Sequence, residues 1–231
     1  MSYRAIIFDL FGTLVGDFTA AGQTHDEFAA ILGVPFEPFM KQWREITGRR
    51  TLGEFQTVEA SIAHLCAALG VTVSDEQMVK AVEFRLDYTR RALAPKSDAV
   101  RTLTQLKHAG YKVGLLSNCS IEIPILWPQT EFADLVESPI FSSRERLKKP
   151  DPRIYHLACA RLGVAAEDCL YIADGENHEL KAAADSGMSP VLILPTSHEP
   201  RGELRREARE WQGLTISTLA EVLEVVDKIS A

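Results

Sequence analysis

The sequence predicts an α/β protein with a parallel, doubly wound sheet and an all-helical segment inserted behind the first strand. Three observations predict it. From Pro95 onward, short apolar runs alternate with helix-periodic stretches, the pattern of strands joined by helical crossovers. Between Asp17 and Ala92 the periodicity is helical, with no convincing strand. Polar residues stand where each apolar run ends, at the edge where open α/β sheets bind ligands.

The chain has 231 residues, enough for one large domain or for a core with a smaller insert. A 46% apolar content is ordinary for a globular fold, and the size supports a substantial core. The formal charge of −7, from 25 basic and 32 acidic residues, disfavours nonspecific nucleic-acid binding. Cys66, Cys119, Cys159 and Cys169 form no CxxC pair and read as reduced, buried thiols. The first apolar run is too short to cross a membrane and leads into Asp9, so a cytoplasmic protein without membrane contact is expected.

The first strand is Ala5-Ile6-Ile7-Phe8, ended by Asp9, with a tight turn at Gly12-Thr13. Thr24 or Asp26 is placed to cap a helix that ends near Gly33. Residues 35–46 carry Phe36, Phe39, Met40 and Trp43 at helical spacing, and 51–69 reads as a longer helix stopped by Gly70. Ser74 with Gln77 three residues on is the signature of a capping box, opening a helix to about Arg91. Further helices are expected over 98–108, 121–127, 153–162, 176–186, 202–211 and 219–229. Strands are expected over 111–116, 139–141, 168–173, 191–194 and 214–216. The expected division is residues 1–15 and 93–231 as the α/β core, with 16–92 as a helical unit over it.

Four strand ends or following loops then carry chemistry: Asp9 with Thr13, Ser117 with Asn118, Lys149, and Asp174 with Glu179. In a parallel sheet these tips share one edge and converge. Asp9 and Asp174 would repel each other unless a cation lay between them, and a hard, oxygen-preferring ion, Mg²⁺, satisfies both. Lys149 offers a point charge to a phosphate dianion. Thr13 and Ser117 offer hydroxyl donors, and the backbone of the Phe11-Gly12-Thr13 turn offers N–H groups. Asp9 is then placed to attack phosphorus.

The ordered set FDLFGTL, LLSN, KKPDPRIY and YIADGENHELKAAADSGM resembles the four motifs of the haloacid dehalogenase (HAD) superfamily, and covers the core from end to end. The helical insert resembles that superfamily's C1-type cap over a Rossmann-like core. By this resemblance Asp9 is the nucleophile, Thr13 and Ser117 hold phosphate, and Lys149 neutralises charge. Asp174 holds Mg²⁺, and Phe11 gives the metal its backbone carbonyl. The implied function is hydrolysis of a small phosphorylated metabolite through an aspartyl-phosphate.

Two departures from the phosphatase pattern stand out. The general acid–base Asp usual two residues after the nucleophile is replaced by Phe11, and Glu179 stands, with one extra residue of spacing, where a second Asp is commoner; Glu179 or Asn177 is then the further metal contact. General acid–base help is worth ~10²–10⁴ in rate, so its loss favours good leaving groups such as acyl or aryl phosphates. The superfamily's 2-haloacid dehalogenases have an aromatic residue at the matching position and use no metal, which makes dehalogenation the alternative; Asp174 argues against it. Phosphonate hydrolases need a cap lysine, for which Lys41 is the one candidate. A non-catalytic phosphate binder is the remaining reading. In the helical unit, Trp43, Arg49 and Arg50 are candidates to face the substrate, against the expectation that Trp43 packs in the core and both arginines are solvated. His25 and His178 have no nameable partner.

Overall fold

The computed structural model describes residues 3–16, 25–194 and 206–230, with side chains for all of these except residues 206 and 228–230. Its centre is a six-stranded sheet. The strands are β1 (Ala5–Phe8), β2 (Lys112–Ser117), β3 (Ser138–Phe141), β4 (Cys169–Ala173), β5 (Ser189–Ile193) and β6 (Thr215–Ile216). Their order is β3-β2-β1-β4-β5-β6, and every pairing is parallel. The chain winds from β1 out to β3, then crosses back to β4 on the other side of β1, so the topological switch falls between β1 and β4.

Helices cover both faces: α5 (Ala99–His108), α6 (Glu122–Leu126), α7 (Ser142–Glu145), α8 (Pro152–Leu162), α9 (Glu179–Asp185), α10 (Arg206–Glu210) and α11 (Glu221–Ser230). Strand alternation divides the core between them. Ile6 and Phe8 join Leu103, Leu106 and Val222 on one face, while Ala5 and Ile7 join Ile154, Tyr155 and Leu180 on the other. Because both faces are covered, β1 is apolar throughout rather than alternating.

Four helices precede α5: α1 (His25–Ile31), α2 (Phe36–Thr51), α3 (Val58–Ala68) and α4 (Asp75–Ala92). They bury their own apolar cluster of Phe28, Phe39, Trp43, Ile46, Ile62 and Leu65. The chain leaves β1 and returns through a paired neck. Val15 bridges Pro95, and Lys96 N–H donates to the Leu14 carbonyl at 2.9 Å. The capping box at Ser74 and Gln77 forms in both directions. All four cysteines are buried and free. Among the described residues no helix is long and apolar enough to cross a membrane.

The structure corrects several boundaries. The helix expected over 51–69 is two pieces: α2 runs on to Thr51, and α3 starts only after Thr57, whose side chain caps it at Ala60 N–H. Gly53 forces the break, at φ +68° with a would-be Cβ 1.8 Å from the Ser143 carbonyl oxygen. The helix expected from Glu176 starts at Glu179, because Asn177 and His178 both take positive φ. The short α7 was not foreseen. Thr24 and the first part of the 202–211 helix lie outside the described residues.

Candidate active site

Asp9 follows β1, Ser117 ends β2 with Asn118 behind it, and Asp174 follows β4, so three adjacent strand ends meet at the switch point. Lys149 arrives from the loop before α8, and Glu179 from the first turn of α9. The structure brings these residues together. Asp9, Thr13, Ser117, Lys149, Asp174 and Glu179 are all buried, and Asn118 and Phe11 are half-buried.

Lys149 is the hub. Its Nζ donates to Asp9 Oδ1 at 2.5 Å, to Glu179 Oε2 at 2.5 Å and to the Tyr171 hydroxyl at 3.1 Å. Tyr171 in turn donates to Glu179 Oε2 at 2.7 Å, and Tyr155 donates to the Glu179 carbonyl at 3.0 Å. The Thr13 hydroxyl donates to Asp9 Oδ2 at 3.3 Å. Beyond the neighbouring Cys119 thiol, the buried Ser117 hydroxyl has no hydrogen-bond partner among the described residues. A buried hydroxyl whose only partner is a weak thiol invites an acceptor from a bound molecule.

Gly12 makes this closeness possible. It sits at φ +79°, and a Cβ there would lie 2.1 Å from Asp174 Oδ2. Any side chain at position 12 would therefore collide with the carboxylate as well as strain the turn.

Carboxylate oxygens of Asp9, Asp174 and Glu179 lie within 4.8 Å of one another. Burial drives the Asp9 carboxyl up to about 7; Lys149 pulls it down and Glu179 pushes it up. Burial likewise raises Glu179 to about 7, with Lys149 opposing and Asp174 reinforcing. Burial alone would lower Lys149, but Asp9 and Glu179 lift it above its ordinary value. The Lys149 ammonium thus serves two of the three clustered carboxylates. The donor set, all oxygen and all carboxylate, fits a hard divalent cation.

Above this cluster lies a cavity of about 290 Å³ whose walls include Phe11, His25, Trp43, Arg50, Arg85 and Ser120. A smaller one surrounds Asp9 and Lys149, and the two share Phe11, Asn118 and Glu176. Arg50 is buried rather than solvated, because its Nη2 donates to the Glu122 carboxylate and, at 3.2 Å, to Ser120. Trp43 is buried as expected, yet it also lines the cavity. Arg49 turns away to Glu54 and His64, Lys41 is exposed, and His25 faces the cavity. Burial first, then Arg85 and Arg50, lowers the His25 pKa. Burial pushes the Cys119 thiol up to about 12, so it is an inert core residue.

Sequence reasoning missed Tyr171, Arg85 and Glu122. Tyr171 reads as one more apolar strand residue, and its hydroxyl becomes significant only beside Lys149. Arg85 and Glu122 are 37 positions apart, and nothing local to either signals the pairing.

Residues 3–187 match the family described as haloacid dehalogenase-like hydrolases. The chain is 28% identical over 207 residues to an (S)-2-haloacid dehalogenase of Burkholderia cepacia, covering 87% of each chain. It is also 28% identical over 208 residues to a phosphatase of Mycobacterium tuberculosis, covering 89% of this chain and 94% of that one. A HAD family enzyme of Bacteroides thetaiotaomicron, solved with magnesium and inorganic phosphate, shares the fold: TM-score 0.64, 19% identity, 85% of this chain and 96% of that one.

Proposed function

The chain belongs to the haloacid dehalogenase-like hydrolase family, and within it we propose a Mg²⁺-dependent phosphohydrolase acting on a small phosphorylated metabolite through an aspartyl-phosphate on Asp9. The observation that carries this reading is the buried trio of Asp9, Asp174 and Glu179 within 4.8 Å. A third carboxylate beside a nucleophile would repel an anionic substrate unless a cation were bound there. The relatives do not choose for us, since a dehalogenase and a phosphatase match at the same 28% identity.

In this reading Asp9, Asp174, Glu179 and the Phe11 carbonyl would hold a Mg²⁺, which would neutralise charge on the phosphoryl group when bound. The residues of the chain do the rest. A carboxylate oxygen of Asp9 attacks phosphorus, and the bond to the leaving oxygen breaks with its electron pair. Thr13 and Ser117 hydroxyls hold the phosphoryl oxygens, while Lys149 balances their charge. Water then attacks phosphorus, releasing inorganic phosphate and regenerating Asp9. Helices α1–α4 close over the cavity as a cap and exclude bulk water. Phe11 transfers no proton, so leaving groups stable without protonation are favoured.

A metal-dependent assay on p-nitrophenyl phosphate and acetyl phosphate tests this. Mg²⁺-dependent turnover that Asp9→Asn abolishes is expected; no turnover with Mg²⁺ present would sink it. One feature favours a second reading, 2-haloacid dehalogenation through an ester on Asp9: Phe11 packs on Tyr88 and Ala92, making an apolar wall where the acid would stand. Chloride release from 2-chloropropionate without metal is its signature.

A further inference from the structure

Two arginines from two different helices of the α1–α4 unit meet over a single carboxylate of the sheet-bearing part. Arg50 on α2 and Arg85 on α4 both donate to Glu122 Oε1, the latter from Nη2 at 3.2 Å. All three side chains are buried. Both guanidiniums also lie on the Trp43 ring, at 4.1 and 4.9 Å from its centroid. Burial tends to raise the Glu122 carboxyl, but Arg50 and Arg85 hold it down to about 2, so it stays charged. The trio carries two positive charges against one negative. Arg50 Nε is buried with no hydrogen-bond partner among the described residues.

Buried charge without a full complement of partners is expensive. Here the surplus borders the 290 Å³ cavity, which shares Phe11, Asn118 and Glu176 as walls with the Asp9–Lys149 cavity. The volume is at the small end for ligand sites, which run roughly 300–1,000 Å³. Guanidinium is the planar fork that matches a carboxylate, and the Trp43 ring holds both forks in place.

We propose that Arg50 and Arg85 form a second anion subsite, and that the substrate is a short-chain phosphate ester or anhydride that also bears a carboxylate. The carboxylate docks on the arginines while the phosphoryl group lies at Asp9. The phosphoryl half of this inference rests on the phosphohydrolase reading. Glu122 is the positioning residue that keeps two like charges side by side when the subsite is empty.

The test is calorimetric binding in Mg²⁺, which needs no turnover, with phosphonoacetate and methylphosphonate as probes. They differ by the carboxylate. The full chain is expected to bind phosphonoacetate about ten-fold or more tighter, the usual scale of a charged hydrogen-bonded contact. In Arg85→Lys, which keeps the charge and loses the fork, that preference should shrink to about three-fold or less. Equal binding of the two probes by the unmodified chain, or no binding of either, overturns the proposal without recourse to a variant. So does a preference that survives in a folded Arg85→Lys protein. If p-nitrophenyl phosphate is turned over but the probes bind alike, the subsite fails and the phosphohydrolase reading stands. If nothing is turned over but phosphonoacetate is preferred, the reverse holds.

Discussion

Asn118 grips the backbone of Lys149 with both ends of its amide. Its Nδ2 donates to the Lys149 carbonyl at 3.0 Å, and its Oδ1 accepts from the Lys149 N–H at 2.8 Å. The residue after β2 thereby fixes a lysine 31 positions away, whose Nζ lies 2.5 Å from Asp9. Asn118 is therefore placed to act through Lys149 as well as to line the site. Asn118→Ala should cost about 1–3 kcal/mol of stability, from two lost partners. It should also lower kcat about ten-fold or more, since small misplacements of a positioned group are costly. Asn118→Asp keeps the acceptor and should fall between. Thermal melting with steady-state kinetics checks both; an unchanged kcat would show that Lys149 is held by other means.

The acidic cluster predicts an unusual pH response. Asp9 and Glu179 are raised to about 7, from ordinary values near 3.8 and 4.5. Between those limits the folded protein binds more protons than the unfolded chain, so metal-free stability should fall as pH rises from about 4 to 7. A divalent cation, which favours the ionised carboxylates, should stabilise more at pH 8 than at pH 5.5. At a hundred times its Kd a ligand adds about 2.7 kcal/mol, roughly 5–10 °C for a chain of this size. Melting curves with Mg²⁺ and with chelator at both pH values measure this. A Mg²⁺ effect independent of pH would mean that the ion binds elsewhere.

Removing Glu122 should be worse than removing most core residues. Glu122→Ala leaves two guanidiniums buried together, and breaking a buried ion pair typically costs about 3–5 kcal/mol. Glu122→Gln, which keeps one acceptor, should cost less. Urea denaturation ranks the two; equal, small losses would mean that water already screens the cluster.

In the phosphohydrolase reading, Phe11 occupies the position from which a proton would be given. Phe11→Asp should raise activity on alkyl phosphates by up to about 10²–10⁴, against little change on p-nitrophenyl phosphate, whose leaving group needs no proton. No gain on either substrate would favour dehalogenation or ligand binding.

Much of this was legible in the sequence because the signals were local. β1, its terminal Asp9 and the Ser74–Gln77 box each follow from a few adjacent residues, and the parallel order follows from alternating strands and helices. Convergence of Asp9, Ser117 and Asp174 follows from topology, because strand ends on one edge must meet, and Lys149 joins them from a loop on that same edge. What was not legible depends on contacts distant in sequence. By local pattern Arg50 is a solvated helix-end cation; its partner Glu122 lies 72 positions on. The break at Gly53 comes from the Ser143 backbone, which no local pattern contains.

Glu207, on α10, accepts from the backbone N–H groups of Leu180 and Lys181 at 3.1 and 2.7 Å, and Ala208 lies 3.0 Å from where a Gly175 Cβ would be. Those residues belong to the loop and helix that present Asp174 and Glu179. The family's shared pattern stops at residue 187, twenty positions before Glu207. A chain trimmed to that boundary would keep every site residue named above and still lose the brace behind two of its acids. The helix that carries Glu207 thus braces, from beyond the family match, the loop and helix that hold two of the three clustered acids.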